Sequence, residues 1–247
     1  MPRPFPNCSG SAVRIGVVDS GVHAEHPHID ARQLVSGIAI CSDGASETGP
    51  DATLDRLGHG TAVTAAIQEK APGAICLPVR VFRDGLKTSA AALVTAIRWA
   101  IEQQVDIINL SLGSTNVAHR DVFARVADEA IDAGILIVAA LEANDAPCYP
   151  GALPQVLGVG LDWDCPRDRF RVDMMDDRQR IIASGYPRPI PGVPLQRNLY
   201  GISFAVAQIS GFAALACEQI GAVPRSAGRV VAIREALGEE AARLLNA

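Results

Sequence analysis

The sequence predicts an α/β domain: a mainly parallel central sheet flanked by helices. Three observations predict it. Short β-branched runs alternate with longer segments of helical periodicity, the pattern of strands joined by crossover helices. The first of those runs is apolar on both faces, as a strand buried between helix layers is. Finally, 49% of the 247 residues are hydrophobic and no Pro- or Ser-rich linker interrupts them, so residues 1–247 are expected to form one domain.

Taken in order, Val13-Arg-Ile-Gly-Val-Val-Asp-Ser-Gly-Val22 is a buried strand with Asp19 at its carboxyl end and a Ser-Gly turn behind it. His23, His26 and His28 follow on a segment expected to be a solvent-facing turn. No Cys or carboxylate stands at helical spacing from two of them, so no metal site is expected. Residues 33–41 are expected to form a strand, and residues 42–57, rich in Gly, Asp, Ser and Thr, a surface loop. His59 stands between two glycines before a helix over 60–70, and residues 75–82 form the next strand. Over 88–104, Leu93, Ile97, Ala100 and Ile101 share one stripe of a helix. A strand over 105–113 then ends in Ser111-Leu112-Gly113.

The helix over 119–134 turns Phe123, Val126, Ala127, Ala130 and Ile131 inward and stops at Gly134. Residues 135–140 and 179–184 are expected strands, and the Pro-rich stretch 186–194 crosses the surface. Residues 201–215 are apolar on nearly every face, which marks a buried helix. A closing amphipathic helix over 228–245 carries Val230, Ile233, Leu237, Ala241 and Leu244 on one stripe.

Ser203 opens the buried helix, where backbone N–H groups lack partners and the positive dipole end favours a developing oxyanion. Alone it would be an ordinary N-cap serine. Asp19 and His59 change that reading, because open α/β sheets gather their chemistry at the carboxyl ends of strands. A serine nucleophile, a histidine base and an aspartate that orients the base are the parts acyl transfer needs.

The motifs Val17-Val-Asp-Ser-Gly21, Gly58-His-Gly-Thr61, Ser111-Leu-Gly113, Tyr149-Pro-Gly151 and Gly201-Ile-Ser203 occur in this order, and over about residues 12–220 the chain resembles the subtilisin-like serine peptidases. The resemblance implies a three-layer subtilisin-like fold and peptide hydrolysis by Asp19, His59 and Ser203. It implies a peptide or protein substrate, bound in extended form along Ser111, Leu112 and Gly113, which wall the pocket for the residue before the cut bond. Glu142 would lie close to that wall. There it would favour a basic residue, or else stand in solvent as most glutamates do.

Several positions depart from the family pattern. The family's oxyanion-donating Asn falls without a gap on Ala143, with Glu142 in the place of the preceding glycine; a one-residue bulge instead brings Asn144 into position, and Asn144 is the donor expected here. Ile202 replaces a Thr, Ala207 a Pro, and Gln208 a His. The Asn-rich calcium loop that interrupts the helix of many secreted members is missing. These departures leave open acyl transfer to an amine (a transpeptidase or macrocyclase), or a catalytically impaired peptide-binding protein.

Composition narrows the rest. A net charge of −5 with mixed signs gives no basic footprint for nucleic acid. No uninterrupted apolar run reaches about 18 residues, so no membrane span is expected. The first residues lack the apolar segment of a secretory signal, so a cytoplasmic protein is expected, the alternative being the mature form of an exported one. Six scattered cysteines show no metal spacing; Cys76 and Cys217 are expected as small core residues, with a disulfide framework the lesser alternative. No cofactor is expected. Together these features suggest an intracellular processing peptidase, for instance one that removes a leader from a precursor peptide.

Overall fold

The computed structural model describes residues 3–49, 51–175 and 178–246. Its first half contains β1 (Arg14–Asp19), β2 (Ile38–Ile40), β3 (Ser46–Glu47), α1 (His59–Lys70), β4 (Ile75–Arg80), α2 (Ala90–Glu102) and β5 (Ile107–Leu110). Then come α3 (Arg120–Asp132), β6 (Leu136–Ala140), a hairpin of β7 (Glu142–Ala143) and β8 (Ala146–Pro147), and β9 (Leu157–Leu161). The chain finishes with β10 (Arg171–Met175), β11 (Arg178–Ala183), α4 (Ile202–Ile220) and α5 (Ala227–Leu245).

Among the described residues, nine strands form one sheet in the order β10-β11-β9-β6-β5-β1-β4-β2-β3. The pairings are parallel except β2 with β3 and β10 with β11, at the two edges. From β1 the chain moves outward to β2, returns to β4 beside β1, and then crosses to β5 on β1's other flank. The order therefore reverses at β1, and such a reversal opens a crevice beyond the strands' carboxyl ends.

Alternate side chains of each central strand feed opposite cores. Ile15, Val17, Leu136 and Val138 pack with α1, α4 and α5; Val18, Ile108, Leu110 and Ile137 pack with α2 and α3. The result is three layers, helices on both faces of an α/β sheet. Helix α4 is buried over most of its length, from Phe204 to Cys217. By length and mean hydropathy, 1.2, alone it would pass for a membrane span. Inside the protein, however, 78% of that window is covered by neighbouring elements, as a central core helix would be.

The expected strand over 33–41 shrinks to Ile38–Ile40. Residues 31–33 form a 3-10 turn capped by the Asp30 side chain, and Leu34 touches the sheet through a single bridge to Cys76. Pro78 of β4 lacks an N–H, so the ladder breaks where the edge chain passes it. Helix α1 runs from His59 to Lys70 without a break, and all six cysteines are free thiols.

Candidate active site

Asp19 ends β1 and is almost fully buried. His59 is the first residue of α1, preceded by Gly58, whose φ of 78° suits glycine. The helix start sits close against the turn after β1: a Cβ on Gly60 would lie 2.2 Å from the Gly21 carbonyl oxygen and 3.1 Å from the Ser20 nitrogen. That contact brings imidazole to carboxylate. His59 Nδ1–H donates to Asp19 Oδ1 at 2.7 Å, and the Ser20 N–H donates to the same oxygen at 2.7 Å. Asp19 Oδ2 is buried with no hydrogen-bond partner among the described residues.

A second buried carboxylate braces the pair. Asp55 accepts from Ser20 Oγ and from the N–H groups of Leu57 and Gly58 on one oxygen. Its other oxygen takes the N–H and the hydroxyl of Thr61. Burial opposes the charged form of Asp55, but these five donors outweigh it and hold the acid below the usual carboxylate range. For His59 burial likewise opposes protonation, yet the hydrogen bond and charge of Asp19, with Asp55 behind it, raise its pKa above the ordinary histidine value.

Ser203 is the second residue of α4, where a helix has N–H groups without intrahelical partners. Its hydroxyl donates to the Ser111 carbonyl at 3.1 Å, and the Ser111 hydroxyl donates to the Ser203 carbonyl at 3.5 Å. This reciprocal pair ties the helix start to the end of β5. It is backed by Asn109, which donates to Ser111 Oγ and accepts from Ser210 one helical stretch further on, both at 2.9 Å. Among the described residues no hydrogen bond joins His59 to Ser203; the imidazole instead packs against Phe204, the next residue, with ring centroids 5.7 Å apart.

Leu112 and Gly113 continue from Ser111, and Ser114 bridges to Tyr149. Cys148 lies beneath this edge, its sulfur 2.6 Å from where a Cβ on Gly113 would stand. Glu142 is exposed on β7 and pairs with Arg180 at 3.3 Å, so its charge already has a counter-charge. Asn144 and Asp145 form the two-residue tip of the β7–β8 hairpin, with φ of 52° and 60°. Ala143, the gapless alternative to Asn144, is half-buried against the core. Asn144 is exposed at the tip.

Asp55, Asn109 and Ser210 did not stand out in the sequence. Only Asp55 offered a signal, lying four residues before His59 in a loop where an unpaired acid would otherwise face water. His23 is exposed, whereas His26 and His28 are half-buried in the wall of a cavity, not wholly on a solvent-facing turn. No group of three or more His, Cys, Asp or Glu among the described residues is arranged to hold a metal.

The Subtilase family pattern matches residues 10–161. Subtilisin E of Bacillus subtilis is 28% identical over 233 residues, which are 84% of this chain but 56% of that protein. The chain thus spans little more than half the length of several relatives it matches. The intracellular serine protease of Paenibacillus polymyxa is 28% identical over 239 residues, 87% of this chain and 69% of its own. Among solved structures, a lanthipeptide protease superposes with a TM-score of 0.65 at 20% identity, covering 88% of this chain and 77% of its own. Fervidolysin from Fervidobacterium pennivorans gives 0.59 at 18% identity, covering 89% and 38%. At such identities these structural matches speak to the fold alone.

Proposed function

The chain belongs to the Subtilase family, and from that premise we propose that it is a serine endopeptidase cleaving an extended peptide through Asp19, His59 and Ser203. The observation that carries the reading is the 2.7 Å contact of His59 with the buried Asp19, made beside the start of the helix that bears Ser203. Asp19 fixes the imidazole with its proton on Nδ1, leaving Nε2 free to act as base. The mechanism requires the Ser203 hydroxyl to leave the Ser111 carbonyl and turn to Nε2. Such contacts commonly tighten only with substrate bound. His59 takes the hydroxyl proton as Oγ attacks the peptide carbonyl, then gives it to the leaving amine, and water repeats the sequence to free the acid. The Ser203 N–H and the Asn144 side-chain amide are the proposed oxyanion donors. Ser111, Leu112 and Gly113 hold the substrate strand, with Glu142 at the rim.

The narrower proposal is an intracellular processing enzyme that removes a leader from a precursor peptide. It draws support from the altered oxyanion segment and from fold similarity to a protease of lanthipeptides. A fluorophosphonate probe tests the chemistry: it should label the wild type and fail to label Ser203→Ala. A second reading, a peptide-binding protein with little turnover, draws on the Ser203 hydroxyl's present bond to Ser111; equal labelling of the two proteins would favour it. Products made with an added amine separate hydrolysis from acyl transfer, the latter giving amine adducts.

A further inference from the structure

A cavity of about 250 Å³ opens at the first turns of α1; Gly58, the residue before His59, lines it, while His59 and Ser203 do not. Gly58 and Thr61, one residue before and two after His59 in the chain, form one wall, and Leu199, four residues before Ser203, forms another. None of Ser111, Leu112, Gly113 or the β7–β8 hairpin reaches it. If the Ser111 edge holds the residue before the cut bond, this cavity, walled from the α1 side and from Leu199, is the candidate for the other half of the substrate. The direction of proton transfer agrees: His59 protonates the leaving nitrogen, so the leaving segment departs past α1.

The lining is rich in cations and donors. Arg56, Arg188, His23, His26 and His28 all face it, and neither arginine has an acidic partner among the described residues. Arg188 donates to the His28 carbonyl at 3.1 Å, which anchors the guanidinium at the wall. The His28 N–H donates to His26 Nδ1 at 3.2 Å, so the neutral His26 ring carries its proton on Nε2 and can donate from that edge. The two rings meet edge to face at 5.2 Å. His28 is held below the ordinary histidine value by burial first, then by Arg188 and His26, against a smaller opposing pull from Glu69. Asp55, the acid in the lining, has both oxygens engaged by internal donors.

We propose that this cavity receives a carboxylate of the leaving segment, gripped by Arg188 and Arg56 with His26 as a further donor, so that the enzyme selects substrates acidic just after the cut bond. The proposal rests on the peptidase reading above. The carboxylate has two sources, an Asp or Glu side chain or the substrate's own chain end, and the test separates them.

Cleavage of a proteome-derived peptide pool, read by mass spectrometry, should show Asp and Glu about tenfold over Asn and Gln at one of the first three positions after the cut, the size expected for a charged hydrogen bond. If instead cuts gather within three residues of the chain end and vanish when that end is amidated, the terminal carboxylate is the ligand. Arg188→Gln and Arg56→Gln should each shrink the bias, and Arg188→Glu should turn it towards Lys, while fluorophosphonate labelling shows each variant folded. Unbiased cuts, or a bias unchanged in all three variants, overturn the inference and leave the peptidase reading intact. If neither cutting nor labelling occurs, the peptidase reading falls, and ligand binding decides the cavity alone. In that case, Ala-Ala-Asp-Ala-amide should shift the histidine ring NMR signals and Ala-Ala-Asn-Ala-amide should not; equal effects overturn the inference.

Discussion

Burial by itself would make His59 reluctant to accept a proton, since an imidazolium is costly away from water. The hydrogen bond and charge of Asp19 reverse that, with Asp55 adding to the field. A base whose pKa is raised is protonated, and idle, over a wider range: kcat/KM should fall as pH drops through a value above the ordinary 6.5, and a pH–rate profile reads that limb. The stability sign is opposite. The charged pair's contribution is complete below the unfolded histidine value and is lost as pH rises through the raised one. Asp19→Asn should cost about 10⁴-fold in kcat by disturbing the tautomer, and should move the acid limb downward. Asn144 meets its own test at this scale. As the proposed oxyanion donor, Asn144→Ala should lower kcat about 10²- to 10³-fold with KM nearly unchanged; a kcat within a few-fold of wild type would move that role to another group.

Helix α1 shows how an element carries the chemistry. Its first turn can approach β1's turn only because Gly60 has no side chain. Gly60→Ala would push a methyl into backbone atoms that cannot step aside, at about 1–3 kcal/mol. Thermal unfolding should register the loss. Steady-state kinetics should show kcat falling more than KM, because a displaced imidazole misses the proton it must move. The elements most legible in the sequence were those with a strong period or an apolar run: β1, β4, β6 and helices α1 to α5 appear where patterning put them, give or take a few residues. The β10–β11 edge hairpin was only half visible. Residues 171–174 are mostly exposed, and their Arg-Val-Asp-Met run lacks the apolar face that marks a strand. The β7–β8 hairpin hid for another reason: its tip is Asn-Asp, without the glycine that usually announces such a turn. The motifs made Asp19, His59 and Ser203 conspicuous, whereas Asn109 and Ser210 were not. Their polar groups gain meaning only when a strand and a helix a hundred residues apart are packed together.

Across the whole molecule, thiol chemistry follows the packing. Burial pushes Cys76 up to about 12 and Cys148 and Cys217 to about 11, and Cys165 is raised in the same way. Iodoacetamide at pH 8 should therefore reach Cys41 first in the native protein, and Cys8 more slowly because burial, Glu218 and Glu240 raise its pKa; it should modify the four buried cysteines only after unfolding, as peptide mapping would show. Finally, Ser203 sits on the last helix but one, while its two partners belong to the first strand and the first long helix. A growing polypeptide makes the proposed orienting acid and base long before the alcohol. A polypeptide stopped before residue 201 would hold the carboxylate and the imidazole without the alcohol.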